Sequence, residues 1–371
     1  MHLPVGTIAA CALALAWGQA SAVPRYTATP LGTLGGAYSR AYAINAHGQV
    51  TGEAQRADGT WHAFLWTEGA MRDVDTLGSV ESQGLAINAA GHVVGCARST
   101  GSSFAVVYDG EHMQDLRTVT GDAKLACATG INDAGHVVGY RWSSPGPIKE
   151  PSFLYADGVV HDVRQAPVAI NNRDDLAGTA DRYLNPPLGW VRVAGAYLTP
   201  YPLLDWSSQS FVTAINDDGR AVGLGGSPSG GEAFVFANGV RTDLGTGFAP
   251  MAISNRGEIV GQIADHGSGE GRAALYTAQT RYDINALVVA GLDGAILTLA
   301  VGINDAGTIA ANACTRANPP DPPSLYVPRC KAFRLDPVAD AEVPIPVNAL
   351  WALATLAVAV CAGALPLRRA R

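Results

Sequence analysis

Charge is scarce in this chain of 371 residues: Asp, Glu, Lys and Arg make up 15% of it, lysines are few, and the formal net charge is -7. No run of basic residues occurs before the last four positions, so no stripe is available to neutralise phosphates and nucleic acid is not expected as a partner. No two cysteines stand at zinc-ligand spacing and the histidines do not cluster beside them, so no metal site is expected. Gly-x-Ser-x-Gly is absent, which removes the usual strand-turn-helix nucleophile. "GLGGSPSGG" from Gly223 to Gly231 lacks the lysine of a phosphate loop, and the Asn- and Asp-rich turns lack the alternating oxygen ligands of an EF-hand. No cofactor follows from any of these stretches. What is abundant is glycine, 43 residues, with 22 prolines and 48% hydrophobic content, a composition that favours many short strands, tight turns and a packed core.

The two ends are apolar in different ways. Residues Val5 to Trp17 form a short hydrophobic run, and Gln19-Ala20-Ser21-Ala22 places small residues where signal peptidase would cut before Val23, so residues 1–22 read as a secretory signal. "IAAC" ending at Cys11 lies too early in the run to serve as a lipoprotein box. After a proline-containing linker over 339–346, residues 347–367 are long enough, at about 20 residues, to cross a bilayer as one helix. Arg368, Arg369 and Arg371 follow, and basic residues mark the cytoplasmic side. The body over 23–338 is then expected outside the cytoplasmic membrane, anchored by its tail or released from it.

Between the ends one motif recurs. AINAHGQVTG at Ala43, AINAAGHVVG at Ala86, GINDAGHVVG at Gly130, AINNRDDLAG at Ala169, AINDDGRAVG at Ala214, AISNRGEIVG at Ala252 and GINDAGTIAA at Gly302 are copies at a mean period of about 43 residues. Asparagine bonds its own backbone and glycine takes positive φ cheaply, so Asn-x-x-Gly between two apolar pieces is a tight turn joining antiparallel strands. A second unit follows in each copy, as in "HAFLWTEGAMRDV" from His62, "PSFLYADGVVHDV" from Pro151 and "EAFVFANGVRTDL" from Glu232: an aromatic-rich strand, a turn ending in glycine, and a strand closing on Asp-Leu or Asp-Val. Each repeat therefore supplies four strands. A motif that carries chemistry is needed once, so Asn88 and Gly91 are read as structural.

"HAFLW" at His62 and "LGTLGG" at Leu31 resemble the HAF repeat family of bacterial exported proteins over nearly the whole body, and the tail resembles C-terminal sorting signals of the PEP-CTERM and IPTL-CTERM type. The family resemblance implies export and a propeller-like shape, and no shared enzymatic activity. The expected fold is an all-β, seven-bladed β-propeller of four-stranded blades. The last repeat stops after its third strand at "CKAFRLDPV", while "RYTATPLGTLGG" at Arg25 is a fourth strand with no blade before it, so pairing of Tyr26 to Leu31 with Lys331 to Leu335 is expected to close the ring.

Cys96, Cys127, Cys314 and Cys330 fall in the exported body, where an even number favours disulfides. Cys314 and Cys330 flank one long loop on neighbouring strands and are expected to pair; Cys96 with Cys127 would join adjacent blades. The recurrent Asp73, Asp115, Asp162, Asp243 and Asp283 are read as repeated hydrogen-bond acceptors, and His47, His92 and His136 as turn residues, so no catalytic residue is assigned. Variation concentrates in loops between second and third strands and between blades, which share one face. Trp142, Tyr183 and Trp206 lie there outside the strand pattern and are the expected ligand contacts, since loop aromatics stack on sugars or grip peptides. Two functions follow from this arrangement: a non-catalytic module that binds an extracellular glycan or protein, or a propeller hydrolase or lyase acting on an extracellular polysaccharide. Clustered carboxyls off the repeat positions would mark the second, and the variable loops carry only scattered ones such as Glu150, Asp181 and Asp205.

Overall fold

Each Asn-x-x-Gly motif makes the hairpin it predicts, and the second unit pairs against it, so the first six repeats each fold as a four-stranded antiparallel meander. In blade 1 the strands are Gly35–Ile44, Val50–Arg56, Trp61–Thr67 and Ala70–Asp73. In blade 2 they are Glu81–Ile87, Val93–Ser99, Ser102–Tyr108 and Met113–Asp115. Blades 3 to 6 repeat the order, and the first strands of neighbouring blades pack side by side around the axis. The computed structural model of the chain describes residues 23–142, 152–164, 166–180, 188–198, 209–227, 230–264, 271–315 and 329–338. The expected signal over 1–22, the linker over 339–346, the membrane helix over 347–367 and the basic tail over 368–371 lie outside the described residues. Among those described, no helix is long and apolar enough to cross a membrane.

The glycine that ends the motif has a packing role. A Cβ on Gly52 would collide with the carbonyl oxygen of Arg40 on the first strand and with the ring of Phe64 on the third. The first strand carries a register shift between Ala41 and Ala43 that turns this carbonyl toward Gly52, and Phe64 lies opposite it in the ladder. The same seat recurs at Gly139 under Phe153, Gly178 under Trp190 and Gly223 under Phe234, and all four aromatic side chains are fully buried. In these four blades the aromatic residue at the Phe position of the HAF motif is thus the bulk that fills the blade, and the motif glycine is the space left for it; Val106 and Ala274 take that place in blades 2 and 6.

Closure follows the expected pairing and extends it. Tyr26–Pro30 runs antiparallel to Arg329–Pro337, with Ala28 opposite Leu335 and Pro30 opposite Phe333, completing blade 7 with Leu299–Ile303 and Ile309–Thr315. A fifth strand, Val288–Ala290, lies parallel to Tyr26–Pro30 on its outer side. The closing strand is therefore held from both edges, and its Tyr26 and Ala28 are buried with Phe333, Leu335 and Ile309. The outer clamp was not legible in the repeat because it belongs to the connection after blade 6. Both expected disulfides are formed. Cys314 and Cys330 are directly opposite in the blade 7 ladder, and Cys96 on the second strand of blade 2 joins Cys127 on the first strand of blade 3.

Candidate functional site

The ring has two faces, and the Asn-x-x-Gly turns crowd one of them around the axis. Their asparagines do more than shape turns. In each blade the side-chain oxygen accepts a backbone N–H of its own turn, as His92 N–H to Asn88 Oδ1 at 2.9 Å, while the side-chain N–H reaches the main chain of the next blade. Asn45 donates to Asn88 O at 2.8 Å, Asn88 to Asn132 O, Asn132 to Asn171 O, Asn171 to Asn216 O, Asn216 to Ser254 O and Asn304 to Asn45 O. All six asparagines are buried. Ser254 replaces the seventh and is too short to reach blade 7.

The next residue of the motif builds a second belt outside the first. Asp133 Oδ1 accepts Ala89 N–H, Asn172 Oδ1 accepts Asp133 N–H, and the pattern continues through Asp217 and Asn255 to Asp305, each at 2.7 or 2.8 Å. The amides of Asn172 and Asn255 bridge the flanking aspartates. Ala46 and Ala89 cannot accept, so this belt is missing from blade 7 to 1 and from 1 to 2. The inner belt is present at both of those junctions, and the outer belt covers the junction where Ser254 breaks the inner one. Every blade junction keeps at least one belt. The cavity these turns surround, of about 200 Å³, is lined by polar groups already committed to one another.

The recurrent fourth-strand acids are equally committed. Asp73 meets His62 Nδ1 at 3.0 Å, Asp115 meets Arg117 at 2.7 Å, Asp162 meets Arg141 at 3.0 Å, Asp243 pairs with Arg241, and Asp283 lies 3.7 Å from Arg272. Asp115 and Asp283 also cap the short helices Leu116–Thr120, here α1, and Ile284–Leu287, here α2. The three turn histidines form no ring around the axis: His47 is exposed, while His136 turns into the gap between blades 3 and 4. There Asp174 stands where the other six copies have glycine, at φ 60°, a left-handed conformation that side chains disfavour. Its carboxylate bonds His136 Nδ1 and Asn132 Nδ2, both at 2.8 Å. Burial works to lower the His136 pKa, but Asp174 and Asp157 outweigh it and hold the imidazole above its ordinary value. Among the described residues no group of three or more His, Cys, Asp or Glu is placed to hold a metal.

The opposite face carries the variable loops, and one sector of it is built differently. A pocket of about 650 Å³ opens there at the edge of blade 2, between the connection from blade 1 at Leu77, the turn between Ser99 and Ser102, and α1. Arg117 lies against it, bidentate to Asp115 and stacked 4.1 Å above the Phe104 ring. Trp142, just after the second strand of blade 3, reaches Ser103, which stands between the lining residues Ser102 and Phe104. Its main-chain N–H donates to Lys124 O and its indole N–H to Ser103 O at 2.7 Å, across the junction of blades 2 and 3, which leaves the ring 49% exposed. Of the eleven exposed large hydrophobic residues described, five belong to this sector: Leu77 and Val119 on the pocket lining, Val80 bonded to the Arg98 carbonyl, and Tyr140 and Trp142 at the end of one strand. The Cys96–Cys127 bridge ties the same two blades together. Tyr183 and Trp206, like Glu150, Asp181 and Asp205, lie outside the described residues, so of the three expected contacts only Trp142 is placed. Arg117 and Phe104 escaped the sequence reading because they sit in the repeat; a basic residue directly after the recurrent aspartate and aliphatic pair, here Asp115 and Leu116, was the available signal.

No protein-family model matches the chain, and no curated protein matches its sequence. Solved structures similar in shape include virginiamycin B lyase from Staphylococcus aureus, at 11% identity and TM-score 0.47 over 84% of this chain and 100% of the lyase. A puromycin-hydrolyzing peptidase of Mycobacterium tuberculosis follows at 14% identity and TM-score 0.45 over 87% of this chain, which spans 57% of the peptidase. A lectin of Aleuria aurantia, solved with Fucα1-6GlcNAc, has 10% identity and TM-score 0.36 over 83% of this chain and 97% of the lectin. Likeness at this level passes no chemistry from those proteins to this one.

Proposed function

We propose that the protein is an exported, membrane-anchored propeller of HAF type that binds an extracytoplasmic partner on its variable-loop face and performs no chemistry. The observation that carries this reading is that Leu77, Val80, Val119, Tyr140 and Trp142, five of the eleven exposed large hydrophobic residues described, share one sector with a pocket. Contiguous exposed apolar surface beside a pocket marks a binding site, whereas single exposed side chains need no explanation. Export is supported by the two disulfides, which persist only in an oxidising compartment. The apolar ends and the arginine tail supply the route and the anchor in the manner of a PEP-CTERM-like signal.

The reading is tested by presenting the purified chain to a panel of extracellular glycans and surface proteins of the producing cell, then repeating with Tyr140→Ala/Trp142→Ala. Retention that disappears in the double variant while the melting temperature holds is the expected result. Retention that survives in the double variant places the binding surface elsewhere.

A further inference from the structure

We infer that the blade 2 pocket and the Trp142 ring together form a subsite for a neutral saccharide, an assignment that rests on the binding-module reading above. Three observations converge on sugar rather than on a charged or purely apolar ligand. First, the Trp142 ring is a fixed platform. Its indole N–H is tied to Ser103 O and its main-chain N–H to Lys124 O while the residue stays 49% exposed, and a pyranose offers a C–H face to an exposed indole.

Second, Arg117 is aimed and partly unspent. Stacking on Phe104 and the bidentate bond to Asp115 fix the guanidinium plane, and among the described residues only its Nε and Nη2 groups are engaged. The Nη1 group keeps donors for hydroxyl oxygens. Because Asp115 compensates the charge, the pair offers directed hydrogen bonds without demanding an anion. Ser102 and Thr118 on the lining add groups that both donate and accept, which suits vicinal hydroxyls.

Third, the surrounding charge is balanced. Among the described residues, the only charged ones on the lining are Asp115 and Arg117, which pair with each other, while nearby Arg98 pairs with Glu81 at 3.4 Å and Arg141 with Asp122 at 2.8 Å and Asp162 at 3.0 Å. The volume lies within the range of small-ligand sites. The disulfide between blades 2 and 3 holds platform and pocket in one frame, which lowers the ordering cost of binding a flexible chain.

The experiment uses the full chain in detergent micelles on an array of neutral gluco-, manno- and galacto-oligosaccharides, uronate-containing oligosaccharides and unstructured peptides. Binding to at least one neutral series is expected, with quenching or shift of tryptophan fluorescence. Trp142→Ala and Arg117→Gln should each weaken it tenfold or more, and Val240→Ser, on an exposed strand of blade 5, should not. Arg117→Lys guards against a folding defect: charge and stem remain, the planar fork is lost, and the affinity should still fall. Exclusive binding of uronates or peptides overturns the saccharide assignment, as does neutral binding that survives both Trp142→Ala and Arg117→Gln. A blank array combined with Trp142-dependent retention of a surface protein overturns the saccharide and leaves the binding-module reading standing.

Discussion

The two faces of the ring are built from the same seven repeats and have opposite properties. On the turn face the repeat is nearly invariant, because each Asn-x-x-Gly must serve its own hairpin and its neighbour at once. A change in one blade there is felt in the next, as Asn132 shows by donating to Asn171 O and Asp174 of blade 4 while accepting from His136 N–H of its own turn. On the loop face the connections differ from blade to blade in length and sequence. Invariance marks coupling, and divergence marks freedom to acquire a ligand. At the junction of blades 2 and 3 on the loop face a disulfide and the Trp142 indole bridge the gap, in the sector that holds five of the eleven exposed large hydrophobic residues described.

The largest test of that contrast concerns closure. Deleting residues 25–31 removes a strand held on both edges and uncovers Phe333 and Leu335, so the whole ring, not blade 7 alone, should melt lower by roughly 10 °C or more. Calorimetry that finds an unchanged transition would falsify closure by this strand.

Within the turn face, Asn132→Ala leaves the His136 N–H without its acceptor and removes the bonds to Asn171 O and Asp174 of the next blade, and should destabilise by about 1–3 kcal/mol in denaturant unfolding. Asp133→Ala removes a bond to Ala89 N–H and one from Asn172 at the surface and should cost about 1 kcal/mol, more than an isolated turn residue would. Equal costs for the two would mean that the belts contribute nothing beyond their turns.

Asp174 sharpens the comparison, because there the turn face departs from its own rule. Asp174→Gly relieves a left-handed backbone worth about 1 kcal/mol and loses the ion pair to His136 across the blade junction. The groups facing His136 are Asp174 from blade 4 and Asp157 from the third-to-fourth turn of its own blade. Since the folded pKa of His136 is raised, the pair's contribution is full below the unfolded histidine value, about 6.5, and is lost as pH rises through the folded one. The stability gap between the native chain and Asp174→Gly should therefore tilt toward the variant on going from pH 5.5 to 8.5. Melting curves with a pH-independent gap would remove the pair as a contributor.

The smallest effect is expected on the loop face. Trp142→Ala deletes a half-exposed ring and one surface hydrogen bond, so stability should change by about 0.5 kcal/mol or less. A loss comparable to that of Asn132→Ala would make Trp142 a structural bridge instead of a ligand contact.

Blade number, strand order and closure were legible in the chain because they follow from local chemistry repeated at a regular spacing, and the disulfides because each cysteine pair falls on neighbouring strands or blades of that repeat. Asparagine and glycine specify a turn wherever they occur, seven turns specify seven blades, and a leading strand without a blade has one place to go. The interblade belts were not legible, although the same Asn88 that was read as a turn former carries one of them. Whether its amide reaches Asn132 O depends on how two blades 44 residues apart are set side by side, which local pattern does not encode. The same holds for Asp174 against His136, for Val288–Ala290 outside the closing strand, and for Trp142 lying on Ser103 beside the Arg117 pocket. Sequence alone determined the units and their order, since turns and strands are set by residues a few positions apart. Only the tertiary structure decided which polar groups are spent between blades and which remain for a ligand, since that depends on distances of about 3 Å between residues far apart in the chain.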